Sequence, residues 1–323
     1  MRKALITGGA GFIGSTLADR LIAGGVEVVI YDNLSRGRRE FIDEACSNPG
    51  VEFVQGDVRD EELLKRSLEG CDTVFRLAAN ADVRHGFDQP RVDLEENTIA
   101  TFALLEAMRS AGVKRIAFSS TGSIYGEPEV FPTPETCPFP VQTSLYGASK
   151  LAGEGLIQAY AHGYGFVGFI FRFVSILGER YTHGHVFDFC RSLRKDPQHL
   201  RVLGNGRQEK SYLYVGDCIS AITLVMNQDV EAGTLLIYNL GTDETIVVDD
   251  SIATITAYLG VTPDLEYTGG VRGWRGDSPL IHLDCERIRE LGWRPTLSIR
   301  AAIGRTVAWL EENPSVFDEL EAA

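Results

Sequence analysis

The feature that constrains this chain most is a glycine-rich turn close to its start. A short apolar segment, residues 4–7, runs into Gly8-Gly9-Ala10-Gly11-Phe12-Ile13-Gly14, and the apolar positions that follow have helical spacing. In such a G-x-x-G-x-x-G turn the first glycine permits a tight bend, the second lets a diphosphate approach the backbone, and the third lets the helix pack on the strand. Free N–H groups at the helix start then face the diphosphate. The order strand, glycines, helix predicts a dinucleotide-binding unit rather than a plain glycine-rich turn.

Short apolar runs alternate with amphipathic segments through the first half of the chain. Several of these runs are apolar throughout, as strands covered on both faces are. Such alternation is typical of parallel strands joined by crossover helices, so we predict an α/β fold, a doubly wound parallel sheet of the Rossmann type. The predicted strands are residues 4–7, 26–31, 51–55, 73–77, 115–119 and 166–171, and the predicted helices include 61–68, 93–110 and 146–162.

The alternation weakens after residue 171, where polar or Pro-rich stretches at 178–184 and 264–279 separate shorter elements. We therefore predict a smaller C-terminal substrate-binding lobe. Residues 216–240 have the pattern of a helix followed by a strand, which predicts that this segment returns to the sheet. The predicted division is a dinucleotide-binding domain at 1–172, with 216–240 returning to it, and a lobe at 173–215 and 241–323.

Charge and cysteine content narrow the choice of partners. The chain has 31 Lys and Arg against 45 Asp and Glu, a net charge of −14, so a phosphate backbone or an anionic membrane would repel it. No stretch approaches the roughly 20 apolar residues of a membrane span, and no signal peptide is apparent. The six cysteines stand far apart without metal-ligand spacing, as reduced thiols do. We expect a cytoplasmic protein that binds neither nucleic acid nor membrane and holds no metal.

The predicted second strand leads to Asp32, which lies 18 residues beyond Gly14. A carboxylate in this place accepts hydrogen bonds from the adenosine ribose and repels a 2′-phosphate, so it favours NAD over NADP. Arg36 and Arg38 lie near enough in sequence to keep NADP as the alternative. Asp57 follows the third strand and has two interpretations, a contact with the adenine amino group or a cap for the next helix.

Hydroxyl groups and a lysine are predicted to meet at the carboxyl edge of the sheet. Tyr146 and Lys150 stand four residues apart and share one helical face, where an ammonium favours the phenolate that acts as a general base. The fifth strand leads into Ser119-Ser120-Thr121-Gly122-Ser123, at the edge where α/β sheets bind ligands. Each pattern alone has an ordinary interpretation, because Y-x-x-x-K is frequent on surface helices and Ser-Ser-Thr is frequent in turns and caps.

Together, these motifs resemble the extended short-chain dehydrogenase/reductase family, in particular its nucleotide-sugar epimerases and dehydratases. The resemblance covers nearly the whole chain and includes Tyr-Asp-Asn-Leu-Ser at 31–35, Gly-Asp-Val at 56–58 and Leu-Ala-Ala at 77–79. It implies NAD as the cofactor. The NAD-binding residues that it implies are Gly8, Gly11, Phe12, Ile13, Gly14, Asp32, Asn33, Asp57, Val58, Leu77, Ala78, Ala79, Asn97, Ser119, Tyr146 and Lys150.

The resemblance also implies a mechanism. Tyr146 takes the proton of a sugar hydroxyl while hydride passes from the same carbon to NAD⁺, which gives a transient 4-keto sugar. Lys150 holds the nicotinamide ribose and lowers the pKa of the Tyr146 phenol. Thr121 shares a hydrogen bond with the reacting oxygen, and Ser123 lies near the sugar. Return of the hydride to the opposite face inverts the carbon, so no external reductant is consumed.

The loop after Thr121 distinguishes members of this family. In this family the 4,6-dehydratases have the sequence Thr-Asp-Glu-x-Tyr in this loop. The decarboxylases have Glu, and the 3,5-epimerases have Cys, in the place of Ser123. Here Gly122 and Ser123 supply no group that readily shuttles a carbon-bound proton. We therefore predict an NAD-dependent nucleotide-sugar 4-epimerase. A dehydratase or oxidoreductase of the same family is the alternative, and a noncatalytic NAD-binding regulator is a remote one.

The implied substrate is a nucleoside diphosphate sugar, but the second lobe departs from the commonest 4-epimerase pattern. Ser175 replaces an Asn, while Lys210 and Ser211 replace an Arg-Asp pair. Lys210 keeps a cation for the diphosphate and loses bidentate geometry. Lys210 and Arg275 are the candidates for binding the diphosphate. The alternative for each is that its charge is solvated or ion-paired and does not contact the substrate. The predicted substrate-binding residues are Thr121, Ser175, His185, Val186, Arg201, Leu203, Lys210 and Arg275.

His183 and His185 flank Gly184 at the start of the helix that closes over the nucleotide in this family. They either donate to phosphate or sugar hydroxyls or lie exposed in a loop. An H-x-H pattern without a third ligand is poor evidence for a metal.

A homodimer is expected, because in this family the helices predicted at 93–110 and 146–162 form the usual dimer bundle. The alternative is that their apolar residues belong to the core of a single chain.

Overall fold

The computed structural model describes residues 1–80, 83–139 and 141–317. The strands are β1 Lys3–Thr7, β2 Glu27–Asp32, β3 Val51–Gln55, β4 Thr73–Arg76, β5 Arg115–Thr121, β6 Val167–Phe173, β7 Ser175–Leu177, β8 His199–Val202, β9 Glu209–Lys210, β10 Tyr212–Tyr214, β11 Leu235–Leu240, β12 Ile246–Val247, β13 Asp264–Tyr267 and β14 Leu280–Ile281. The α-helices are α1 Phe12–Ala23, α2 Asp43–Cys46, α3 Glu61–Ser67, α4 His85–Asp88, α5 Pro90–Asp93, α6 Ala100–Ala111, α7 Leu145–Tyr164, α8 His185–Lys195, α9 Val215–Met226, α10 Val248–Leu259, α11 Glu286–Glu290 and α12 Ile299–Glu312. A π-helix spans Leu94–Ile99, and short 3₁₀ helices span Arg39–Phe41, Gly122–Tyr125 and Pro314–Phe317.

The main sheet has seven parallel strands in the order β3-β2-β1-β4-β5-β6-β11. From β1 the chain builds outward through β2 to β3 and then returns to the other side of β1 with β4. The order of strands therefore reverses between β1 and β4, where doubly wound sheets bind their ligands. The predicted doubly wound parallel sheet is confirmed.

Two hydrophobic cores cover the two faces of this sheet. One contains Leu17 and Leu21 of α1 and continues into α9 and α12. The other contains Leu104 and Met108 of α6 together with residues of α3 and α7. Because both faces are covered, β1 and β4 are buried almost throughout, which is why their sequences lack polar alternation.

The C-terminal part of the chain forms small sheets beside the main one. β10 pairs with β7, β12 and β14 flank β9, and β13 pairs with β8. β13 lies at the start of residues 264–279, for which the sequence predicted an irregular stretch and no strand. β11 pairs with β6 along its whole length, from Leu235 opposite Gly168 onward. The division of the chain into two lobes stays a prediction.

The helix predicted at 93–110 contains a wider turn. α5 ends at Asp93, the π-helix follows, and α6 begins at Ala100. Such turns occur frequently at functional sites, and the buried Asn97 lies within this one. None of the helices in the described parts of the chain combines the length and apolar character that crossing a bilayer demands.

Candidate active site

A cleft of about 990 Å³ opens at the carboxyl ends of the central strands. Its wall includes Gly8 and Asp32 from the first part of the chain and Lys210 and Trp274 from the last part. The cleft therefore runs from the turn after β1 across the sheet edge to the small C-terminal sheets. This position matches the ligand crevice expected where strand order reverses.

The glycine turn forms a tight cradle at one end of the cleft. Gly8 has a φ of +71°, a conformation that disfavours side chains, and a Cβ there would lie 2.5 Å from the nitrogen of Ala78. A Cβ on Gly14 would lie 2.1 Å from the oxygen of Gly8, so only glycine lets α1 approach the turn. Gly11 caps α1, whose first turn carries no acidic residue. This arrangement fits a dinucleotide diphosphate, whose charge the helix N-terminus attracts.

Asp32 lies at the end of β2 in the wall of the same cleft, with Asn33 beside it. One carboxylate oxygen accepts a hydrogen bond from the nitrogen of Ala10 at 3.0 Å, and the other accepts one from Leu34 at 2.8 Å. Burial raises the pKa of the Asp32 carboxyl, and these two bonds act against that shift. The bonds fix the carboxylate beside the glycine turn, where it fits the ribose role that the sequence assigned to it.

Asp57 also lines the cleft, and one of its two interpretations is wrong. The cap of α3 is Asp60, whose side chain accepts a hydrogen bond from the nitrogen of Leu63 at 3.0 Å. Asp57 instead accepts from the Arg59 guanidinium at 2.7 and 2.8 Å, which lowers its pKa to about 2. A contact between Asp57 and adenine stays a prediction.

Tyr146, Thr121 and Ser123 meet at the carboxyl end of β5, all in the cleft wall. Ser144 caps α7 by accepting from the nitrogen of Gly147 at 2.9 Å, which fixes where the helix begins and places Tyr146 in its first turn. The Thr121 side chain lies close enough to Tyr146 to lower the pKa of its phenol. The Thr121 hydroxyl donates to the Ser123 hydroxyl at 3.2 Å. The three hydroxyl groups therefore form one set in the cleft wall.

Lys150 lies behind this set, almost fully buried. Its ammonium donates to the Ser119 carbonyl at 2.8 Å and lies 5.9 Å from the centre of the Tyr146 ring. Burial, together with the nearby Arg76, lowers the pKa of Lys150 to about 7, against the opposing effects of Asp93 and Glu154.

The tyrosine differs from expectation in one respect. Burial raises the pKa of the Tyr146 phenol above its usual value, Asp93 adds to the rise, and the nearby Thr121 side chain opposes it. A buried phenolate near a carboxylate is unfavourable, and Lys150 loses part of its own charge near neutral pH. The lowering that the family resemblance implies therefore requires a further positive charge at the site.

The titration of Lys150 gives a testable consequence for stability. Because the folded chain holds this proton less tightly than the unfolded chain, unfolding takes up a proton between about pH 7 and pH 10. The free energy of unfolding of the wild type, relative to Lys150→Met, should rise with pH across this window. Urea unfolding measures it, with the exposed Lys65→Met as a control that should follow the wild type. A difference independent of pH would show that Lys150 titrates normally.

Most predicted substrate-binding residues line the far end of the cleft, namely Ser175, His185, Arg201, Leu203 and Lys210. The Lys210 ammonium donates to the Asp277 carboxylate at 2.8 Å, and both are buried. Lys210 is therefore ion-paired while it also lines the cleft. Burial lowers its pKa and Asp277 opposes that shift.

Four predicted residues lie away from the described wall of the cleft, namely Lys150, which lies behind the hydroxyl groups, and Val186, Arg275 and Asn97. Val186 is fully buried in the core of the C-terminal part. The Arg275 guanidinium stacks 4.7 Å from the centre of the Phe87 ring. Asn97 is buried, with its amide 2.9 Å from the Ser149 hydroxyl, so it supports α7 from behind. The side chains of these last three contact residues outside the cleft. Helical spacing and the position of a motif do not predict these contacts.

The two histidines differ from each other. His183 lines the cleft with its ring 5.8 Å from that of Tyr181. His185 is bonded through Nε2 to the Ser251 hydroxyl at 2.7 Å, and burial lowers its pKa to about 3, so it is neutral at ordinary pH. Among the residues that the structure describes, no three His, Cys, Asp or Glu side chains group as a metal site.

The cleft wall also contains residues that the sequence analysis did not single out, among them Arg84, Tyr181 and Trp274. Arg84 is ion-paired with Asp188 of α8 at 3.2 Å. Trp274 directly precedes Arg275 in a stretch that the sequence indicated as irregular. No local spacing signal marks these residues, because elements distant in sequence bring them to the cleft.

Known proteins resemble the chain over nearly its whole length. The model of the NAD dependent epimerase/dehydratase family matches residues 4–241. A UDP-glucose 4-epimerase of Mycolicibacterium smegmatis is 33% identical, over 96% of this chain and 99% of that protein. A crystal structure of a UDP-galactose 4-epimerase is 36% identical with a TM-score of 0.86, covering 96% of this chain and 99% of the other. The Thermus thermophilus UDP-glucose 4-epimerase in complex with NAD is 33% identical with a TM-score of 0.85, covering 96% and 99%. The family resemblance read from the motifs is thereby confirmed, and the chain belongs to the NAD-dependent epimerase/dehydratase family.

Proposed function

We propose that the chain is an NAD-dependent nucleotide-sugar 4-epimerase with Tyr146 as its general base. One observation carries the proposal: Tyr146, Thr121 and Ser123 line the same cleft as the glycine cradle and Lys210. The cradle with Asp32 fits NAD, and Lys210 provides a cation for a sugar nucleotide.

NAD, held by the glycine turn and Asp32, would supply the hydride acceptor and donor for the sugar carbon. The chain's own groups handle the proton. A sugar hydroxyl that binds beside Tyr146, Thr121 and Ser123 loses its proton to the Tyr146 oxygen, while Thr121 holds the resulting carbonyl in place. Lys150 lies beside the Tyr146 ring and stabilises the phenolate to the extent that it is charged. The same groups give the proton back when the carbon is reduced.

The loop after Thr121 and two paired carboxylates of the cleft, Asp188 and Asp277, favour epimerisation over dehydration. Elimination of water needs an acid and a base beside the keto sugar, and positions 122 and 123 hold Gly and Ser. Asp188 pairs with Arg84 at 3.2 Å, and Asp277 pairs with Lys210 at 2.8 Å. Such paired carboxylates are poor proton shuttles. A 4-epimerase needs none of them.

A UDP-hexose is the proposed substrate. The three similar proteins described above are named UDP-glucose or UDP-galactose 4-epimerases. The sequence left the base open, and Arg201 and Leu203 of the cleft wall are our candidates for its surroundings.

A hydride-tracking experiment tests this function. UDP-glucose deuterated at C4 should give UDP-galactose that keeps deuterium at C4, since the same nucleus returns to the opposite face. Catalytic NAD should suffice, with no net absorbance change at 340 nm. In heavy water, C3 and C5 should take up no deuterium, because their protons are never removed.

Other outcomes would replace the proposal. Solvent deuterium at C5 with loss of the C6 hydroxyl would establish a dehydratase. Net formation of NADH would establish an oxidoreductase. Binding of NAD without conversion of UDP-glucose, UDP-galactose or other nucleotide sugars would leave only a regulator.

Replacement of Asp32 tests the cofactor assignment. Asp32→Ala should weaken NAD binding by about 1.5 to 3 kcal/mol, the usual worth of hydrogen bonds to a charged group. It should also narrow the preference for NAD over NADP, because a 2′-phosphate no longer meets a carboxylate. Titration calorimetry measures both affinities, with the exposed Asp43→Ala as the control. Unchanged affinities would mean that Asp32 only holds the backbone of Ala10 and Leu34 and does not contact the cofactor.

A homodimer formed through the π-helix, α6 and α7 is our proposal for the assembly. Leu94, Ile99 and Phe102 are 52, 45 and 46% exposed, so an apolar stripe lies on the surface of one chain. Phe102→Glu should give a monomer by light scattering, while Glu95→Ala should remain a dimer. A wild-type chain that is monomeric at micromolar concentration would contradict the proposal.

A cytoplasmic location is our proposal for the setting of this enzyme. The six cysteines are all free thiols, and four of them are buried. Free thiols are stable in a reducing compartment.

A further inference from the structure

The face of α7 that carries the proposed catalytic pair continues one turn further. Tyr146, Lys150 and Glu154 follow one another at intervals of four residues, so they share one side of the helix. Glu154 is fully buried, and the proposed mechanism gives it no role. A buried carboxylate on the same helix face as Tyr146 and Lys150 needs partners that compensate for the loss of its hydration.

Two of the three helix residues are hydrogen-bonded to the end of β5. Lys150 donates to the carbonyl of Ser119 at 2.8 Å, and the Ser120 hydroxyl donates to Glu154 at 2.5 Å. Tyr146 lines the same cleft as Thr121, the last residue of β5. The two hydrogen bonds stand one turn apart on the helix, so they fix how far α7 lies along the strand.

Arg172 of β6 holds the Glu154 carboxylate from the other side. Its guanidinium donates to both carboxylate oxygens, at 3.1 and 2.8 Å, in a two-pronged ion pair. The guanidinium also donates to the Tyr125 hydroxyl at 2.8 Å and to the Glu135 carbonyl at 3.0 Å. Both charges are almost completely excluded from water, and each is satisfied by several bonds. The carboxylate is therefore held in one orientation.

Buried ion pairs of this kind contribute little net stability, since the loss of hydration offsets their attraction. Their directional bonds can specify one arrangement of the elements they join. Here they join β5, β6 and α7, and two of these three elements carry the reacting hydroxyls.

We propose that Ser120, Glu154 and Arg172 are positioning residues that set the register of α7 against β5, and with it the distance between the Tyr146 and Thr121 hydroxyls. This inference rests on the proposed roles of Tyr146 and Thr121. Cofactor and substrate binding depend on other groups, such as the glycine turn and Lys210. Loss of the positioning bonds therefore reduces kcat and leaves KM and NAD affinity nearly unchanged.

Ser120→Ala is the direct test, because it removes one hydroxyl and keeps the ion pair. We expect kcat to fall about tenfold to a hundredfold, since a misplacement of reacting groups by about 1 Å costs roughly 10²-fold. KM for the nucleotide sugar and the Kd of NAD should stay within about twofold. The matched control is Ser67→Ala, which removes an equally buried serine hydroxyl bonded to the Leu63 carbonyl at 2.8 Å, far from the cleft. Its kcat should equal that of the wild type.

A double-mutant cycle provides the second test. Glu154→Gln should lower kcat at least as much as Ser120→Ala, and the double variant should show no further loss, because both changes break the same bond. Circular dichroism checks that each variant is folded. If Glu154→Gln does not fold, the kcat of Ser120→Ala alone tests the inference.

Three results would overturn the inference: a folded Ser120→Ala with kcat within twofold of the wild type, a KM that rises in proportion to the loss of kcat, or an equal loss in Ser67→Ala. These results are distinct from a failure of the proposed function. If Tyr146→Phe retains full activity, the proposed function itself is wrong, whatever Ser120→Ala does.

Discussion

Turnover of the Tyr146→Phe variant should fall by about 10² to 10⁴, which is the usual worth of a positioned general base. The substitution removes one hydroxyl and keeps the ring in the first turn of α7. The lost group belongs to the set of hydroxyls that Tyr146, Thr121 and Ser123 form in the cleft wall. No other described tyrosine joins this hydroxyl set, so no neighbour replaces it.

The same variant should fold and bind NAD as the wild type does. The pKa of the Tyr146 phenol is raised, so the folded chain contains a neutral phenol whose removal leaves no unpaired charge. Single-turnover kinetics would measure the loss, with the exposed Tyr258→Phe as the control for an unrelated hydroxyl. Activity close to the wild type would exclude Tyr146 as the base and move attention to Ser123 and Thr121.

The main sheet could be predicted from local pattern because its strands are apolar runs ended by polar or glycine residues. The predicted strand at 51–55 matches β3, and the strand predicted at the end of 216–240 matches β11. Burial on both faces produces such runs directly. The small C-terminal sheets were harder to predict, since β9 and β12 have only two residues each and β13 is exposed throughout.

The cap of α3 could have been predicted correctly. A helix expected at 61–68 places its cap at residue 60, and Asp60 is a strong capping residue. The structure has this cap, so the alternative for Asp57 contradicted the predicted helix bounds.

The buried network behind Tyr146 is different, because its partners come from separate elements. The spacing of Glu154 from Lys150 could be read on the sequence, but Ser120 and Arg172 meet it only when β5 and β6 pair in register. The effect of Asp93 on the Tyr146 pKa likewise depends on how α5 packs near α7. Local spacing predicts shared faces of one helix, whereas contacts across the sheet edge need the fold.

The Gly14→Ala variant should lose about 10²-fold in kcat/KM and bind NAD more weakly. Its new Cβ would lie 2.1 Å from the Gly8 oxygen and 2.8 Å from the Cα of Gly9, both backbone atoms that no rotamer change can move. α1 must then retreat by roughly 1 Å, and a shift of this size in a positioned group costs about 10²-fold. Crowding of this kind also costs about 1 to 3 kcal/mol of stability.

The matched control for this variant is Gly163→Ala in α7, where a Cβ meets nothing within 4 Å. There the change should stabilise the chain by about 0.5 to 1 kcal/mol, since alanine favours a helix over glycine. Calorimetric titration with NAD and thermal unfolding of both variants separate the two effects. If Gly14→Ala binds NAD as tightly as Gly163→Ala does, the close approach of α1 to the turn is not what holds the diphosphate. In that case Asp32 and the loops beyond β2 and β4 would have to supply the affinity.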